Sequence, residues 1–263
     1  MEKKSRYIDR ERYFNELAQT SQEFYIDYIK EFKTIDNNSR ILEIGCGEGG
    51  NLLPFSKYGC HVTGLDLASN KIENAKSFFK NRGEKGLFRC SDFLTDTPPA
   101  ENERYDVILI HDVIEHIEPE GKTEFFSRAR LYLKPEGIIF FGFPAWQMPF
   151  GGHQQICRSR LCRLPFIHLL PASLYRMWLT SFKENQSQID ELLSIKRSKM
   201  TPEKFEDLCS TTGYSVKDRI FWLISPHYKA KFNLKPRKLC RIISKIPFIR
   251  NFFTTSCFYI ITM

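Results

Sequence analysis

Short apolar runs alternate with helix-like segments through the middle of the chain. Five such runs stand out, and they are Ile41–Ile44, His61–Leu65, Leu87–Cys90, Val107–Ile110 and Ile138–Gly142. Strands that are apolar on both faces and alternate with helices are typical of a parallel sheet covered on both sides. The pattern therefore predicts an α/β domain built around a mostly parallel sheet.

The segments on either side of this core follow other patterns. Residues 1–39 carry large apolar side chains at the spacing of one helical face, namely Phe24, Tyr25, Tyr28, Ile29 and Phe32. We therefore expect an N-terminal helical cap ahead of a core domain at 40–263. Thr201 and Pro202 have the residue types of an N-cap and a first helical position, which predicts a helix there. Two further strands are predicted at Val216–Ile224 and Cys257–Thr262.

Between the fifth run and Thr201 the β-α regularity stops. Residues 144–199 contain a turn cluster at Pro149, Gly151 and Gly152, followed by an apolar stretch punctuated by prolines. We interpret this segment as a helical and loop insertion that supplies a lid and one wall of an acceptor pocket. Packing on the sheet edge is the alternative for most of its apolar residues.

Composition limits where such a protein can work. The chain has 263 residues, of which 42% are hydrophobic and 27% are charged. No apolar run approaches the length needed to cross a bilayer, and the charged first twelve residues lack a signal-peptide core. The eight cysteines are scattered without the spacing of a metal site. We therefore expect reduced thiols, no bound metal and a cytoplasmic location.

Positive charge is concentrated near the C-terminus. Residues 225–263 hold eight of the 39 Lys and Arg residues and no Asp or Glu, so the remaining 31 basic residues balance the 31 acidic ones. This distribution argues against a nucleic-acid-binding domain and favours a local anionic partner. Within 225–250, Leu239, Ile242, Ile243 and Ile246 have helical spacing, which predicts a basic amphipathic helix. Such a helix would contact an anionic membrane or a phosphorylated acceptor, or would simply pack with a solvated basic face.

A glycine-rich turn follows the first predicted strand, in Ile41-Leu-Glu-Ile-Gly-Cys-Gly-Glu-Gly-Gly50. Its glycines fit two templates, because Gly45, Gly47 and Gly50 match a dinucleotide fingerprint while Gly45, Gly47 and Gly49 follow an acidic residue as in E-x-G-x-G-x-G. The charge of the expected ligand separates the two. A pyrophosphate is repelled by carboxylates, whereas a sulfonium with an amino-acid end is attracted.

Four acidic residues lie at the carboxyl ends of successive predicted strands, where ligands bind in open α/β sheets; they are Glu43, Asp66, Asp92 and Asp112. With the glycine turn, these positions make Ile41–Phe143 resemble the class I S-adenosylmethionine-dependent methyltransferases, motif by motif. The stretch Ile114–Ile117 resembles the quinone-type and small-molecule branch. A less specific similarity, at segments such as His153–Cys157, points to bacterial methyltransferases of surface-glycan assembly.

The resemblance implies a Rossmann-like fold, with seven strands in the order 3-2-1-4-5-7-6 and only the seventh antiparallel. It implies that Glu43 holds the methionine amino end, Asp66 the ribose hydroxyls, and Asp92 with the backbone and ring of Phe93 the adenine. The complete set of cofactor-binding residues predicted in this way is Glu43, Gly45, Cys46, Gly47, Gly49, Asp66, Leu67, Ser91, Asp92, Phe93, His111 and Asp112.

The implied activity is methyl transfer from S-adenosylmethionine, giving S-adenosylhomocysteine, to an oxygen in preference to a nitrogen. The acceptor is expected to be small or linked to a lipid or sugar. A hydroxyl acceptor needs a base, for which the candidates are His111, His116 and His153, with His153 or His111 preferred. The alternatives are a nicotinamide-dependent oxidoreductase and a non-catalytic S-adenosylmethionine-binding protein of the same fold.

Overall fold

The computed structural model of the protein describes residues 9–263. Within this range one sheet contains the strands β1 (Arg40–Ile44), β2 (His61–Asp66), β3 (Leu87–Cys90), β4 (Tyr105–His111), β5 (Leu133–Phe143), β6 (Ser215–Ile224), β7 (Arg237–Lys238) and β8 (Ser256–Thr262). Helices precede, connect and follow the strands. They are α1 (Arg10–Thr20), α2 (Ile26–Lys30), α3 (Leu53–Lys57), α4 (Ser69–Asn81), α5 (Lys122–Tyr132), α6 (Ala172–Ser181), α7 (Gln186–Ser198), α8 (Pro202–Thr211), α9 (His227–Phe232), α10 (Arg241–Ser244) and α11 (Ile249–Phe253).

The sheet has the strand order β3-β2-β1-β4-β5-β8-β6-β7. Strands β1 to β5 are parallel, and β8 is antiparallel to both β5 and β6. The predicted Rossmann-like α/β fold and its strand order are confirmed, with β8 as the predicted seventh strand. The predicted number of strands was wrong, because the chain also forms the edge strand β7 against β6. Two residues are too few to leave an apolar pattern in the sequence.

The central strands are buried on both faces because their side chains alternate between two hydrophobic cores. Leu42 and Ile108 belong to one core, together with residues of α5 and α8. Ile41 and Val107, one position earlier in each strand, belong to the other core under α2 and α4. This double burial explains why the sequence shows continuous apolar runs in place of an alternating pattern.

The predicted N-terminal helix is confirmed for the described residues, and residues 1–8 of the predicted cap lie outside them. Helices α1 and α2 form one rod joined by a π-helical turn at Ser21–Tyr25. The rod packs on the sheet through buried side chains such as Tyr28, and on α4 through Phe14. It also touches α9, where Thr20 Oγ1 lies 3.3 Å from Nδ1 of His227. Segments from opposite parts of the sequence therefore meet over one face of the sheet.

Residues 144–199 contain 3₁₀ turns followed by α6 and α7. Their apolar side chains form a small core of their own, which includes Cys157, Tyr175 and Leu192. The two ends of the segment are joined at Trp146, whose N–H donates to the Met200 carbonyl at 2.8 Å. The predicted start of α8 is confirmed, because Thr201 Oγ1 accepts from the Lys204 N–H as an N-cap.

The predicted basic amphipathic helix in 225–250 is wrong. Leu239 continues the β7 edge, with its N–H donating to the Phe221 carbonyl at 2.7 Å, and only the short helices α10 and α11 follow. Proline cannot continue a helix, and Pro247 separates α10 from α11. The apolar positions divide accordingly, since Leu239 packs in the core while Ile242 is 78% exposed. Among residues 9–263, no helix has the length and apolar character that a membrane crossing requires.

Candidate functional site

The glycine turn links β1 to α3 beneath the carboxyl edge of the sheet. Gly45, Gly47 and Gly49 have φ angles of 72°, 53° and 80°, which glycine adopts without strain. The Leu65 carbonyl accepts from the Gly45 N–H at 2.8 Å, which pins the turn to β2. A Cβ at Gly49 would lie 2.7 Å from the Phe88 ring, whereas one at Gly47 would meet nothing within 4 Å. The backbone at Gly47 is therefore open toward a ligand.

Glu43 lies in β1 under this turn and is fully buried, with 1% of its surface exposed. Its Oε1 accepts from Asn51 Nδ2 at 2.7 Å. Its Oε2 and the Asn51 Oδ1 have no hydrogen-bond partner among residues 9–263. Burial, reinforced by the nearby charge of Asp66, raises the pKa of Glu43 to about 8. These two unpaired oxygen atoms could both accept hydrogen bonds from the ammonium end of an amino acid.

Asp66 ends β2 beside the glycine turn. Its Oδ2 accepts from the Gly47 N–H at 2.8 Å, and its Oδ1 accepts from the Ala68 N–H at 2.8 Å. These two bonds fix the carboxylate against the turn while leaving further lone pairs free to accept from hydroxyl groups. Lys71 Nζ lies 4.0 Å away. Leu67, the next predicted residue, is 72% exposed at the rim of the site.

The residues after β3 form a tight turn. Asp92 Oδ1 accepts from the Leu94 N–H at 2.9 Å, and Ser91 Oγ donates to Asp96 Oδ1 at 2.8 Å. The Phe93 ring is buried in the core, with its centroid 4.9 Å from that of Tyr132. The ring is thus engaged in core packing, and its contact with the adenine stays a prediction. The Phe93 carbonyl accepts from Arg128 Nε at 3.0 Å, which fixes this turn to α5.

His111 ends β4, and Asp112 follows it. Asp112 has a φ of 53°, an unusual value outside glycine, and its N–H donates to the Gly142 carbonyl at 2.8 Å. The His111 Nδ1 lies 3.3 Å from Asp112 Oδ2, and its ring lies 5.4 Å from that of Tyr25. The structure thus brings His111 into the site but leaves its side chain only 8% exposed.

Tyr25 is a residue that sequence reasoning assigned to packing alone. Its hydroxyl is buried and has no hydrogen-bond partner among residues 9–263. Burial, with the charges of Asp112 and Glu43 nearby, raises the pKa of this phenol well above its usual range. The hydroxyl therefore stays neutral and can donate a hydrogen bond at the floor of the site. Its position in a helical apolar stripe concealed this polar end.

A second group of polar residues lies beside Asp112, where the loop after β4 meets the insertion. Glu115 is 2% exposed, and neither carboxyl oxygen has a hydrogen-bond partner among residues 9–263. The Nε2 of His153 lies 3.6 Å from Glu115 Oε1, and the His153 ring lies 4.9 Å from that of His116. Sequence reasoning named both histidines but missed Glu115, whose only signal was its place next to His116.

Protonation in this group follows from burial. Burial and the neighbouring His116 lower the pKa of His153 to about 4, so its imidazole is neutral at neutral pH. Burial also raises the pKa of Glu115 well above its usual range. Behind Glu115, the Lys122 ammonium donates to the Ile114 carbonyl and to Ser198 Oγ, which fixes the loop to α7. A neutral imidazole in this place can accept a proton.

The same donor set bears on metal binding. One possible ligand atom from each of Glu115, His116 and His153 lies within 4.8 Å of the others, so these residues could together hold a cation. The sequence gave no sign of this grouping, because His153 lies far along the chain from Glu115 and His116. Cys46, in contrast, is buried in the glycine turn, and burial raises the pKa of its thiol well above the usual range. The Cys46 thiol is therefore protonated and unreactive, and it packs inside the turn.

Comparison with known proteins agrees with this geometry. A family model described as a methyltransferase domain matches residues 41–137. The chain is 31% identical over 196 residues to a ubiquinone biosynthesis O-methyltransferase of Rickettsia canadensis, covering 74% of this chain and 71% of that protein. The chain belongs to the class I S-adenosylmethionine-dependent methyltransferases. Membership confirms the predicted family and its cofactor, and it does not favour an oxidoreductase.

The methyltransferase spans half or less of the length of two other relatives. It is 34% identical over 106 residues to a phosphoethanolamine N-methyltransferase of Plasmodium falciparum, covering 40% of this chain but only 39% of that protein. It is 26% identical over 119 residues to a ubiquinone biosynthesis O-methyltransferase of Actinobacillus pleuropneumoniae, covering 44% of this chain and half of that protein. These relatives align with the small-molecule branch of the family.

Solved structures agree on the fold. An S-adenosylmethionine-dependent methyltransferase from Clostridium acetobutylicum aligns with a TM-score of 0.59 at 13% identity, covering 93% of this chain and 91% of that one. A TehB-like S-adenosylmethionine-dependent methyltransferase from Corynebacterium glutamicum aligns with a TM-score of 0.55 at 15% identity, covering 98% of this chain and 96% of that one. The match over nearly the whole length includes the strands beyond residue 137.

Proposed function

We propose that the methyltransferase moves the methyl group of S-adenosylmethionine to an oxygen of a small, or lipid- or sugar-linked, acceptor, with His153 as the general base. The observation that carries this proposal is the neutral imidazole of His153, half-buried beside Glu115 and within electrostatic range of Asp112. A hydroxyl acceptor must lose its proton as it attacks, and a neutral imidazole at hydrogen-bond reach of that proton can take it.

Residues of the carboxyl edge fit the cofactor. When bound, S-adenosylmethionine supplies a methyl group on a positively charged sulfur. Glu43 and Asn51 would hold the ammonium end, since both carry an unpaired buried oxygen. Asp66 would accept from the ribose hydroxyls, and the turn at Asp92 would border the adenine. The acidic edge also offsets the positive charge of the sulfonium.

The residues around His153 support its role as a base. Glu115 is 3.6 Å from the imidazole, too far for a hydrogen bond, and the negative charge of Asp112, which acts to raise the pKa of His153, would stabilise a proton gained there. His111 is the second candidate, and its position under Tyr25 suits positioning of Asp112 better than proton transfer to an acceptor. The insertion would close over the acceptor and exclude water.

We also infer a cytoplasmic location. All eight cysteines are free, and six of them are buried. Free thiols persist where the environment is reducing. Fractionation of the source cells, followed by antibody detection, tests this inference, and detection only in an oxidising compartment would contradict it.

Turnover with a panel of phenolic and aliphatic hydroxyl acceptors, read as S-adenosylhomocysteine formed, tests the activity. His153→Gln removes the base but keeps a polar side chain, so we expect kcat to fall by about 10²- to 10⁴-fold. The Kd for S-adenosylhomocysteine should stay within about twofold of the wild type. The matched control is His61→Gln, at the exposed start of β2. Wild-type turnover in His153→Gln would remove this residue from the mechanism.

Two further measurements separate the alternatives. Asp66→Ala should abolish binding of S-adenosylhomocysteine, because the variant loses the carboxylate that fixes the glycine turn and accepts the ribose. Turnover that survives EDTA and does not respond to added divalent cations would favour His153 as a base over the same residue as a metal ligand. A protein that binds the cofactor but methylates none of the acceptors would support a non-catalytic role.

A further inference from the structure

The C-terminal region contains an apolar turn that the sheet does not cover. We define the tail turn as residues 241–253, from α10 through α11. Five large apolar side chains in this short segment are between 40% and 78% exposed, and they are Ile242, Ile246, Phe248, Ile249 and Phe253. Single exposed apolar residues are ordinary on protein surfaces, but so dense a group marks an interaction site.

The tail turn is held firmly in place. Glu203 on α8 accepts from Arg250 Nη2 at 2.9 Å and from Asn251 Nδ2 at 2.8 Å, and both donor residues are buried. Glu203 also accepts from the Phe248 N–H at 3.3 Å. Ile243 packs against the main core from the inner side of the turn. The outer apolar side chains therefore project from a fixed platform, which lowers the entropic cost of binding them.

The exposed charged side chains of the tail turn and of the segment before it are all positive. Arg237, Lys238, Arg241 and Lys245 are exposed next to the apolar side chains, and residues 225–263 contain no Asp or Glu. A two-fold interface between copies of this patch would bring these cations against one another. A surface that combines an apolar projection with a cationic rim suits an anionic lipid bilayer, where the apolar groups enter and the cations meet headgroups.

The tail turn also adjoins the insertion. The Phe252 ring lies 6.5 Å from that of Phe166, and Phe166 is 42% exposed together with the neighbouring Leu164 at 45%. The Phe166 N–H donates to the Pro149 carbonyl at 2.8 Å, in the same loop as His153. The apolar surface therefore continues from the tail turn to the segment that carries the candidate base.

We propose that the tail turn docks this methyltransferase on the surface of an anionic membrane, with Ile246, Phe248 and Ile249 entering the headgroup region and the flanking Lys and Arg side chains contacting lipid phosphates. This function is separate from methyl transfer, and it does not require the acceptor to be a lipid.

Co-sedimentation of the full chain with two kinds of vesicle tests the proposal. We expect binding to vesicles of phosphatidylcholine mixed with phosphatidylglycerol, weak binding to pure phosphatidylcholine, and loss of binding as salt is raised. Phe248→Asp should lower the partition coefficient at least about tenfold, since it places an anion where an apolar ring enters. The combined Arg241→Gln and Lys245→Gln variant should weaken binding to anionic vesicles selectively.

The matched control is Leu87→Asp, which makes the same kind of change at a residue 57% exposed at the opposite edge of the sheet, in β3. It should bind vesicles as the wild type does. All variants should keep the wild-type affinity for S-adenosylhomocysteine, which shows that they fold. Three results would overturn the proposal: no vesicle binding by the wild type, equal binding by Phe248→Asp, or a dimer in light scattering that Phe248→Asp dissociates without any vesicle binding.

Discussion

The pKa of Glu43 makes cofactor binding depend on pH. With a pKa of about 8, the carboxyl group of the free protein is ionised in about a tenth of molecules at pH 7 and about a hundredth at pH 6. Pairing with the ammonium end of S-adenosylhomocysteine requires the ionised form, so binding at neutral pH releases the proton. Deprotonation then costs about 1.4 kcal/mol at pH 7 and about 2.7 kcal/mol at pH 6.

The expected result is a Kd that falls about ninefold from pH 6 to pH 7, with close to one proton released per ligand at pH 7. Titration calorimetry in two buffers of different ionisation enthalpy measures both quantities. Glu43→Gln cannot ionise, so its Kd should be weaker at pH 7 and change less than about twofold between these pH values. Glu73→Gln, whose parent side chain is 70% exposed in α4, is the matched control and should keep the wild-type slope. The same slope in Glu43→Gln would refute the reasoning.

Two predictions concern stability, measured by urea unfolding. Gly50→Ala should lower the free energy of unfolding by about 1–3 kcal/mol, because its Cβ would lie 2.5 Å from the Phe14 carbonyl oxygen. Gly121→Ala meets its nearest atom at 3.4 Å and should be near neutral, so equal losses would contradict the argument. Arg10→Met should lower the free energy of unfolding by about 1–3 kcal/mol, because it leaves the buried Glu48 carboxylate without its partner. Arg10 donates two hydrogen bonds of 2.7 Å to this carboxylate. Adding Glu48→Gln should recover part of that loss, and a further loss of similar size would show that the pair does not matter.

The sheet could be predicted from the sequence because double burial leaves continuous apolar runs, and each run marks one strand. The strand order came from the family resemblance of the glycine turn and the acidic strand ends. The edge strand β7 could not be predicted, since Arg237 and Lys238 are polar and pair only because β6 offers an unpaired edge. The prediction of a basic amphipathic helix in 225–250 was wrong for a related reason. Helical spacing was present, but Pro247 and the packing of Leu239 in the core divided the segment.

Part of the site could also be predicted from the sequence. Glu43, Asp66 and Asp112 do lie together at the carboxyl edge, as the alternation of strands and helices requires. Tyr25 and Glu115 were missed because their roles depend on burial and on neighbours distant in the chain. For Phe93, the motif fixes the position of the residue along the chain but not the direction of its ring, which the structure places in the core.

The contact between α1 and α9 sets an order of events during synthesis. Thr20 and His227 meet although they are 207 positions apart, and α1 also lies over the glycine turn, where the Phe14 carbonyl faces Gly50. On the ribosome, α1 leaves the exit tunnel long before α9 exists to hold it. Until α9 is made, the nascent chain can hold α1 through its contacts with the glycine turn and α4 but not through His227. Cofactor binding to stalled chains should therefore strengthen once residues beyond α9 have emerged.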